Sequence, residues 1–317
     1  MRIGIIGTGR HGSRYANHIV HDCDALHLTE IARRSEEGVR QADSWGARYR
    51  QDWRELVASA DVEAVICAVP PVLNSSIAEQ CSKYKKPLLI EKPLSVNAVA
   101  GRKIVTMMNQ AEVPLTVGQT LRYNPVVRKL REELPNQGKL YTAYANQRLE
   151  PSDISWLENP QEAGAGITVH IAVHVFDALH YITGLKVVRV SAMCRTCRTK
   201  HLEDLALIHV EMENGVAGIV DVSKLSTSRS GRYEFICEKS QLHGDQVHGY
   251  VNCISANVER RLEKFPPVPT VLGLLNDWQR FLTGDGPNPV SGEDGLYALR
   301  VSEASLESAE DSRWVNV

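Results

Sequence analysis

The sequence predicts an α/β chain: an N-terminal Rossmann domain built on a doubly wound parallel sheet, followed by a C-terminal α+β domain with an antiparallel or mixed sheet. Three observations carry this expectation. Over the first third, short apolar runs alternate with longer amphipathic stretches, as repeated βαβ units require. Three glycines, Gly7, Gly9 and Gly12, fall between the first run and the first stretch. After about Leu121, strand-like runs follow one another with few helices between them.

In the first region Arg2 to Ile6, Leu26 to Ala32, Ala64 to Val69, Pro87 to Ile90 and Pro114 to Gly118 read as strands. Between them, Gly12 to His21, Ser35 to Ser44, Trp53 to Ser59, Asn74 to Lys83 and Asn97 to Gln110 carry apolar residues at helical spacing. Beyond Leu121 the expected strands are Tyr141 to Gln147, Val187 to Met193, Leu205 to Met212, Val216 to Ser223 and Tyr233 to Cys237, with Asn214-Gly215 closing a hairpin. One apolar helix, Ala172 to Thr183, interrupts them, and Thr270 to Leu282 and Glu293 to Glu310 supply two more. These changes of texture set a boundary, with residues 1–121 expected to bind a dinucleotide and residues 122–317 to hold the substrate.

Composition narrows the function. A chain of 317 residues, 43% hydrophobic, with a net charge of −2, has no field to gather nucleic acid or an anionic membrane. The expected partner is a small molecule. Seven cysteines form an odd set, which fits a reducing cytoplasm better than a secreted disulfide framework. Cys194 and Cys197 have the spacing of a redox or zinc pair, but no second pair accompanies them, and they read as ordinary thiols. Met1-Arg2 leads straight into Ile3, without the apolar core of a signal peptide, and no stretch approaches the ~18 uncharged apolar residues of a membrane helix. A cytoplasmic protein is expected.

Gly7-Thr8-Gly9-Arg10-His11-Gly12 has the placement of a dinucleotide fingerprint. The first glycine allows the tight turn, the second lets backbone approach a pyrophosphate, and the third lets helix pack on sheet, with the helix N-terminus facing the phosphates. At the end of the second strand, an acid would read a ribose hydroxyl. This chain has Arg33-Arg34-Ser35 there, and two guanidiniums with a hydroxyl suit a 2′-phosphate, so NADP(H) is favoured over NAD(H). The competing possibility is that Glu30 reaches the ribose and the arginines lie in a solvated turn. Val69-Pro70 and Glu91-Lys92-Pro93 close two further strands at the carboxyl edge of the sheet, where ligands bind. The proline and the acid flanking Lys92 argue for a fixed backbone that aims the lysine at the nicotinamide end, with a cis bond before Pro93 allowed.

His170 and His174 are four residues apart, with Asp177 three further on. On a helix begun near His170, all three would share a face with Tyr181. Zinc would need a third ligand and a general-base glutamate, and Ile171 stands where that acid belongs. Acid/base chemistry is preferred to metal binding or a buried structural pair.

Together these residues resemble the glucose-fructose oxidoreductase and inositol dehydrogenase family, Gfo/Idh/MocA. The resemblance runs from the Gly7 fingerprint through Glu91-Lys92-Pro93, Gly118 to Pro125 and His174 to Asp177, as far as Pro289 to Gly295. It implies that Lys92 and His174 work on the substrate, with His170 standing where the family has aspartate and orienting the substrate or relaying a proton. It implies substrate contacts from Arg122, Tyr123, Asn124 and Asp177, although the first three could equally be linker residues. It also implies that the C-terminal α+β domain has a large, mostly antiparallel open sheet, and a homodimer or homotetramer formed through that sheet. The expected activity is hydride exchange between a nicotinamide and a secondary alcohol or ketone of a sugar, polyol or related molecule. An NAD-dependent glycosidase of the same fold and a catalytically inactive cofactor-binding regulator remain alternatives.

Overall fold

The structure is a computed structural model and describes residues 1–152 and 154–317. By internal contacts the chain forms two compact units, Met1–Thr120 with Pro269–Leu296, and Leu121–Val268 with Tyr297–Val317. A single cut between 121 and 122 therefore misses a return of the chain. Residues 269–296 belong with the first unit because Val117 N–H donates to Val290 O at 3.0 Å and Asn288 Nδ2 donates to Leu115 O at 2.8 Å.

In the first unit the strands are β1 (Arg2–Ile6), β2 (His27–Ala32), β3 (Arg48–Arg50), β4 (Ala64–Cys67), β5 (Leu88–Ile90) and β6 (Leu115–Val117). The helices that follow β1 to β5 are α1 (Gly12–His21), α2 (Glu37–Trp45), α3 (Trp53–Ala58), α4 (Asn74–Lys83) and α5 (Ala98–Gln110). The sheet is parallel throughout in the order β3-β2-β1-β4-β5-β6. Every residue of β4 and of β5 is buried, which is why these strands are unbroken apolar runs without alternation. The strand order reverses between β1 and β4. Sheets of this kind bind ligands outside the carboxyl ends of the strands at such a reversal, and here the turns after β1 and β4 meet at that point, Gly7 against Ala68 and Val69.

The second unit carries a nine-stranded sheet of β7 (Leu140–Arg148), β8 (Val187–Arg195), β9 (Leu205–Met212), β10 (Ala217–Ser223), β11 (Arg232–Cys237), β12 (Gln241–Asp245), β13 (Tyr250–Ser255), β14 (Val258–Lys264) and β15 (Val315–Asn316). Its order is β14-β13-β12-β11-β7-β10-β9-β8-β15, antiparallel except where β7 runs parallel to β10. Asn214 and Gly215, with φ of 62° and 74°, make the expected hairpin turn between β9 and β10, the left-handed pair that matches strand twist. The remaining helices in chain order are α6 (Pro125–Glu133), α7 (Pro160–Ala163), α8 (Val173–Thr183), α9 (Thr270–Leu282) and α10 (Gly292–Asp311). The core of this unit forms where α6 and α8 cover one face of the sheet, with Val126, Leu130, Phe176, Val220, Phe235 and Leu242 wholly buried.

Contrary to the sequence expectation, one helical run, Pro160–Thr183, is long and apolar enough to cross a membrane by length and composition. Its most apolar window is 83% buried inside the protein, so its apolarity serves the core of the second unit.

Candidate active site

The turn after β1 begins with Gly7 at φ +87°, a conformation that disfavours a side chain; a Cβ there would lie 2.5 Å from Ala68 O. A Cβ on Gly12 would lie 1.8 Å from Gly7 O, so the turn and the first residue of α1 touch backbone to backbone. Gly9 differs: a Cβ there would meet no atom within 4 Å. The fold itself does not require Gly9, and the open space beside it fits a pyrophosphate approaching the backbone, which is the test a bound dinucleotide must pass here. Thr8 is buried and donates to Gln41 Oε1 at 2.6 Å, while Ser13 Oγ donates to Thr8 O at 2.9 Å. Arg10 is exposed. His11 has an open outer surface, yet the protein packed around it, then the charges of Lys92, Arg14 and Arg10, hold its imidazole down at about 4.

At the end of β2 the competing reading of Glu30 is corrected. Glu30 is 1% exposed and bound by Arg50 at 2.8 Å, Arg48 at 3.4 Å and Ser59 Oγ at 2.8 Å, so its carboxylate is enclosed and satisfied within the fold. Arg33 follows the strand as expected, but its guanidinium is already engaged within the unit. It donates to Thr8 O at 2.6 Å, Gln41 Oε1 at 3.0 Å, Ser35 Oγ at 2.8 Å and the Glu37 carboxylate. Arg33 thus ties the glycine turn to α2. Arg34 is exposed, and its guanidinium has no hydrogen bond among the described residues.

Beyond β4, Val69 packs against the glycine turn, where its Cγ1 would lie 2.6 Å from a Cβ on Gly7, and Pro70 leads into the following helical turn. Beyond β5, the Glu91 carboxylate is tied into the fold. Tyr15 Oη donates to Glu91 Oε1 at 2.7 Å, and Gly118 closes over the same carboxylate. Burial raises the Glu91 pKa, opposed by the Lys92 charge and the Tyr15 bond. Its place is that of a positioning residue for the half-buried Lys92. The Lys92–Pro93 bond is cis. Asn74, 1% exposed at the start of α4, donates to Pro93 O at 3.2 Å and Leu94 O at 3.1 Å and so anchors the strand-end turn.

In the second unit the histidine pair departs from the helical expectation. His170 lies in a π turn, Thr168–Ala172, and α8 begins only at Val173. The two histidines therefore do not stand one α-helical turn apart. His174 is half-buried in the first turn of α8. His170 is 4% exposed, its Nε2 is 3.0 Å from Ala163 O, and Trp156 meets it edge-on with ring centroids 5.4 Å apart. A carbonyl can only accept, so Nε2 carries the hydrogen. His170 is thus packed into the π turn, between the Ala163 carbonyl and the Trp156 ring. Glu203, just before β9, accepts from Gly166 N at 3.0 Å, Thr168 N at 3.1 Å and Thr168 Oγ1, and caps the π turn.

The other four expected substrate contacts are bound to one another or to the fold. Asp177 is 1% exposed, and Arg122 grips it with two bonds, Nε to Oδ2 at 2.9 Å and Nη2 to Oδ1 at 2.6 Å. Asn124 caps α6 by accepting from Val126 N at 2.9 Å and donates to Gln246 O at 3.2 Å. Tyr123 is buried under the Arg128 guanidinium. These contacts build the second unit, with Arg122 also lying 5.4 Å from the Tyr181 ring centre. The sequence reading missed Gln41, Asn74, Trp156 and Glu203, whose roles arise from contacts between distant segments and leave no mark in residue spacing.

A parallel sheet in this order with an open glycine turn at its reversal defines a dinucleotide-binding fold of the Rossmann class. Residues 1–119 match the oxidoreductase family with an NAD-binding Rossmann fold, and residues 138–243 match the C-terminal domain of the same family, Gfo/Idh/MocA. The chain belongs to that family. It is 26% identical to myo-inositol 2-dehydrogenase of Thermotoga maritima across 100% of this chain and 98% of that protein. It is 24% identical to scyllo-inositol 2-dehydrogenase (NAD(+)) of Bacillus subtilis across 81% and 77% of the two chains. Among solved structures, a probable dehydrogenase from Thermotoga maritima superposes with a TM-score of 0.86 at 25% identity, covering 100% of this chain and 98% of the other. Levoglucosan dehydrogenase in complex with NADH shares the fold, with a TM-score of 0.91 at 19% identity, covering 100% and 99%.

Proposed function

We propose that this chain interconverts a secondary alcohol and a ketone on a sugar, polyol or related small molecule. The observation that carries the reading is Lys92, set at the carboxyl end of β5 in a turn anchored by Asn74 and backed by Glu91. The inositol dehydrogenases among its full-length relatives support the substrate class. A bound nicotinamide supplies the hydride acceptor or donor. Lys92 stabilises negative charge developing on the reacting oxygen, and His174 takes or returns the hydroxyl proton. His170 acts only through the turn it braces. A panel of sugars and polyols assayed with NAD and NADP, on the wild type and on Lys92→Met, tests this. Lys92→Met should keep cofactor affinity while turnover falls by about 10²-fold, the scale of a lost electrostatic contact to the transition state. Undiminished turnover would remove Lys92 from the mechanism.

The preferred cofactor in this reading is NADP(H). Glu30 is buried and bonded within the fold, and Arg34 with Ser35 supplies a cation and a hydroxyl at the end of β2. Arg33 contributes by holding the turn, so Arg33→Met should weaken both cofactors, whereas Arg34→Ala should weaken NADPH alone. Equal affinities of the wild type for NADPH and NADH would defeat the preference. A homodimer or homotetramer is also part of the reading. The outward strand positions Met193, Leu207, Ile219 and Ile236 are exposed and apolar, and light scattering of the purified chain would check it.

A further inference from the structure

A cavity of about 600 Å³ lies within the second unit, lined in part by Glu158, Gly166, Lys200, Glu203, Asp204 and Lys224, and the reading above makes no use of it. Two of its acids are already satisfied. Glu203 accepts from Gly166 N, Thr168 N and Thr168 Oγ1, and Asp204 accepts from Cys197 N at 2.8 Å, Arg198 N at 2.7 Å and Thr199 N at 2.9 Å. Lys224 is different. It is half-buried, lines the cavity, and its Nζ has no hydrogen bond or ion pair among the described residues. Burial pushes its ammonium below the ordinary lysine value, against the pull of Glu158, Glu203 and Asp204. Arg198, Lys200 and His201 stand exposed on the same wall. The lining sets three cations, Arg198, Lys200 and Lys224, together with His201, against the carboxylates of Glu158, Glu203 and Asp204, and of these three acids only Glu158 has no hydrogen bond among the described residues.

The cavity also adjoins the segments that brace the histidines. Gly166 and Ile167 line it and run directly into the π turn carrying His170. Leu157 and Glu158 line it next in sequence to Trp156, whose ring meets His170.

We infer that this cavity receives the carboxylate of an acidic sugar or polyol, with Lys224 as its counter-ion. This deepens, and rests on, the reaction proposed above: the substrate class narrows to molecules that carry both a secondary alcohol and a carboxylate. A half-desolvated ammonium gains most from a partner of opposite charge and fixed geometry, and a neutral hydroxyl supplies less.

Calorimetry on the full chain with saturating NADPH, or NADH if that is the cofactor retained, tests it with D-glucuronate, D-galacturonate and D-gluconate against D-glucose, D-galactose and sorbitol. At least one acid should bind about tenfold to a hundredfold more tightly than its neutral counterpart, the scale of a hydrogen bond to a charged group. Lys224→Met should abolish that difference, and Lys224→Arg should restore most of it. Glu158→Gln, which removes the competing anion, should tighten binding of the acid, and this readout stands even if Lys224→Met fails to fold. No preference for any acid, a preference that survives Lys224→Met in a normally melting protein, or a loss of acid binding in Glu158→Gln would each overturn the inference. Turnover of neutral polyols without acid preference defeats this inference and spares the reaction; Lys224-dependent acid binding without hydride transfer does the reverse.

Discussion

The turn after β1 and the turn before α8 both present a candidate site from a strand-to-helix or loop-to-helix junction, but they are held by different means. The first is backbone on backbone: Gly7 meets Ala68 O, and Gly12 meets Gly7 O, at distances no side chain tolerates. The second is held by side chains from afar, with Glu203 capping the π turn, Trp156 against His170 and Ser302 Oγ donating to Thr168 O at 3.0 Å. A backbone-held turn is rigid and all-or-none under substitution. A side-chain-held turn can be loosened by degrees, and its chemistry is expected to loosen with it.

The sharpest break of this comparison is Gly12→Ala. Its methyl group cannot clear Gly7 O, and the variant should lose about 4 kcal/mol or more of stability, the range reserved for core-disrupting changes, as read by denaturant unfolding. Gly9→Ala, three residues earlier, should melt as the wild type does and lose cofactor affinity; a normal NAD(P)H titration in that variant would show that nothing approaches Gly9. On the other side, His174→Ala should slow the chemical step by ~10²–10⁴ without moving Tm, as loss of a general acid or base does. Full activity in a well-folded His174→Ala protein would place the proton transfer elsewhere. Glu203→Ala should give a graded result, losing about 1–3 kcal/mol of stability for its unmet donors together with a fall in kcat. Loss of stability with unchanged kcat would uncouple the π turn from His174.

The smallest effect is electrostatic and lies in the first turn. His11 should remain neutral by NMR titration until pH about 4, against 6.5 for a free imidazole. Because the unfolded chain takes up this proton first, the contribution of His11 to stability is complete above 6.5 and declines as pH falls toward 4. Lys92→Met removes one of the charges responsible and should move the titration upward.

The same contrast explains what the sequence discloses. Buried parallel strands such as β4 and β5 are continuous apolar runs, and a backbone-held turn must write its constraints as glycines, so most of the first unit and its dinucleotide turn are legible. β3 is three residues, Arg-Tyr-Arg, and has no apolar run to show. β14 is exposed along its whole length and so carries no alternation. α6 was readable and overlooked, since Asn124 followed by Pro125 is a capping residue before a first-turn proline. The π turn has no spacing signal. His170 and His174 look like a helical pair in one dimension, and only the cap by Glu203, 35 residues beyond Thr168, reveals otherwise. Arg33 shows the limit for charge: its position past β2 was legible, but not that Thr8, Gln41, Ser35 and Glu37 already occupy it.

The return of residues 269–296 to the first unit has a consequence for how the chain is made. β6 is the last strand of its sheet, and its outer edge is closed by Ser291 bridging Thr116 and by Thr116 Oγ1 donating to Asn288 Oδ1 across 172 residues. During synthesis that edge leaves the ribosome long before its cover exists. At about 5–20 residues per second, roughly ten to thirty seconds pass with an apolar strand edge bare. The nascent first domain must be shielded or kept soluble through that interval, and it becomes self-sufficient only once Asn288 and Ser291 have been added.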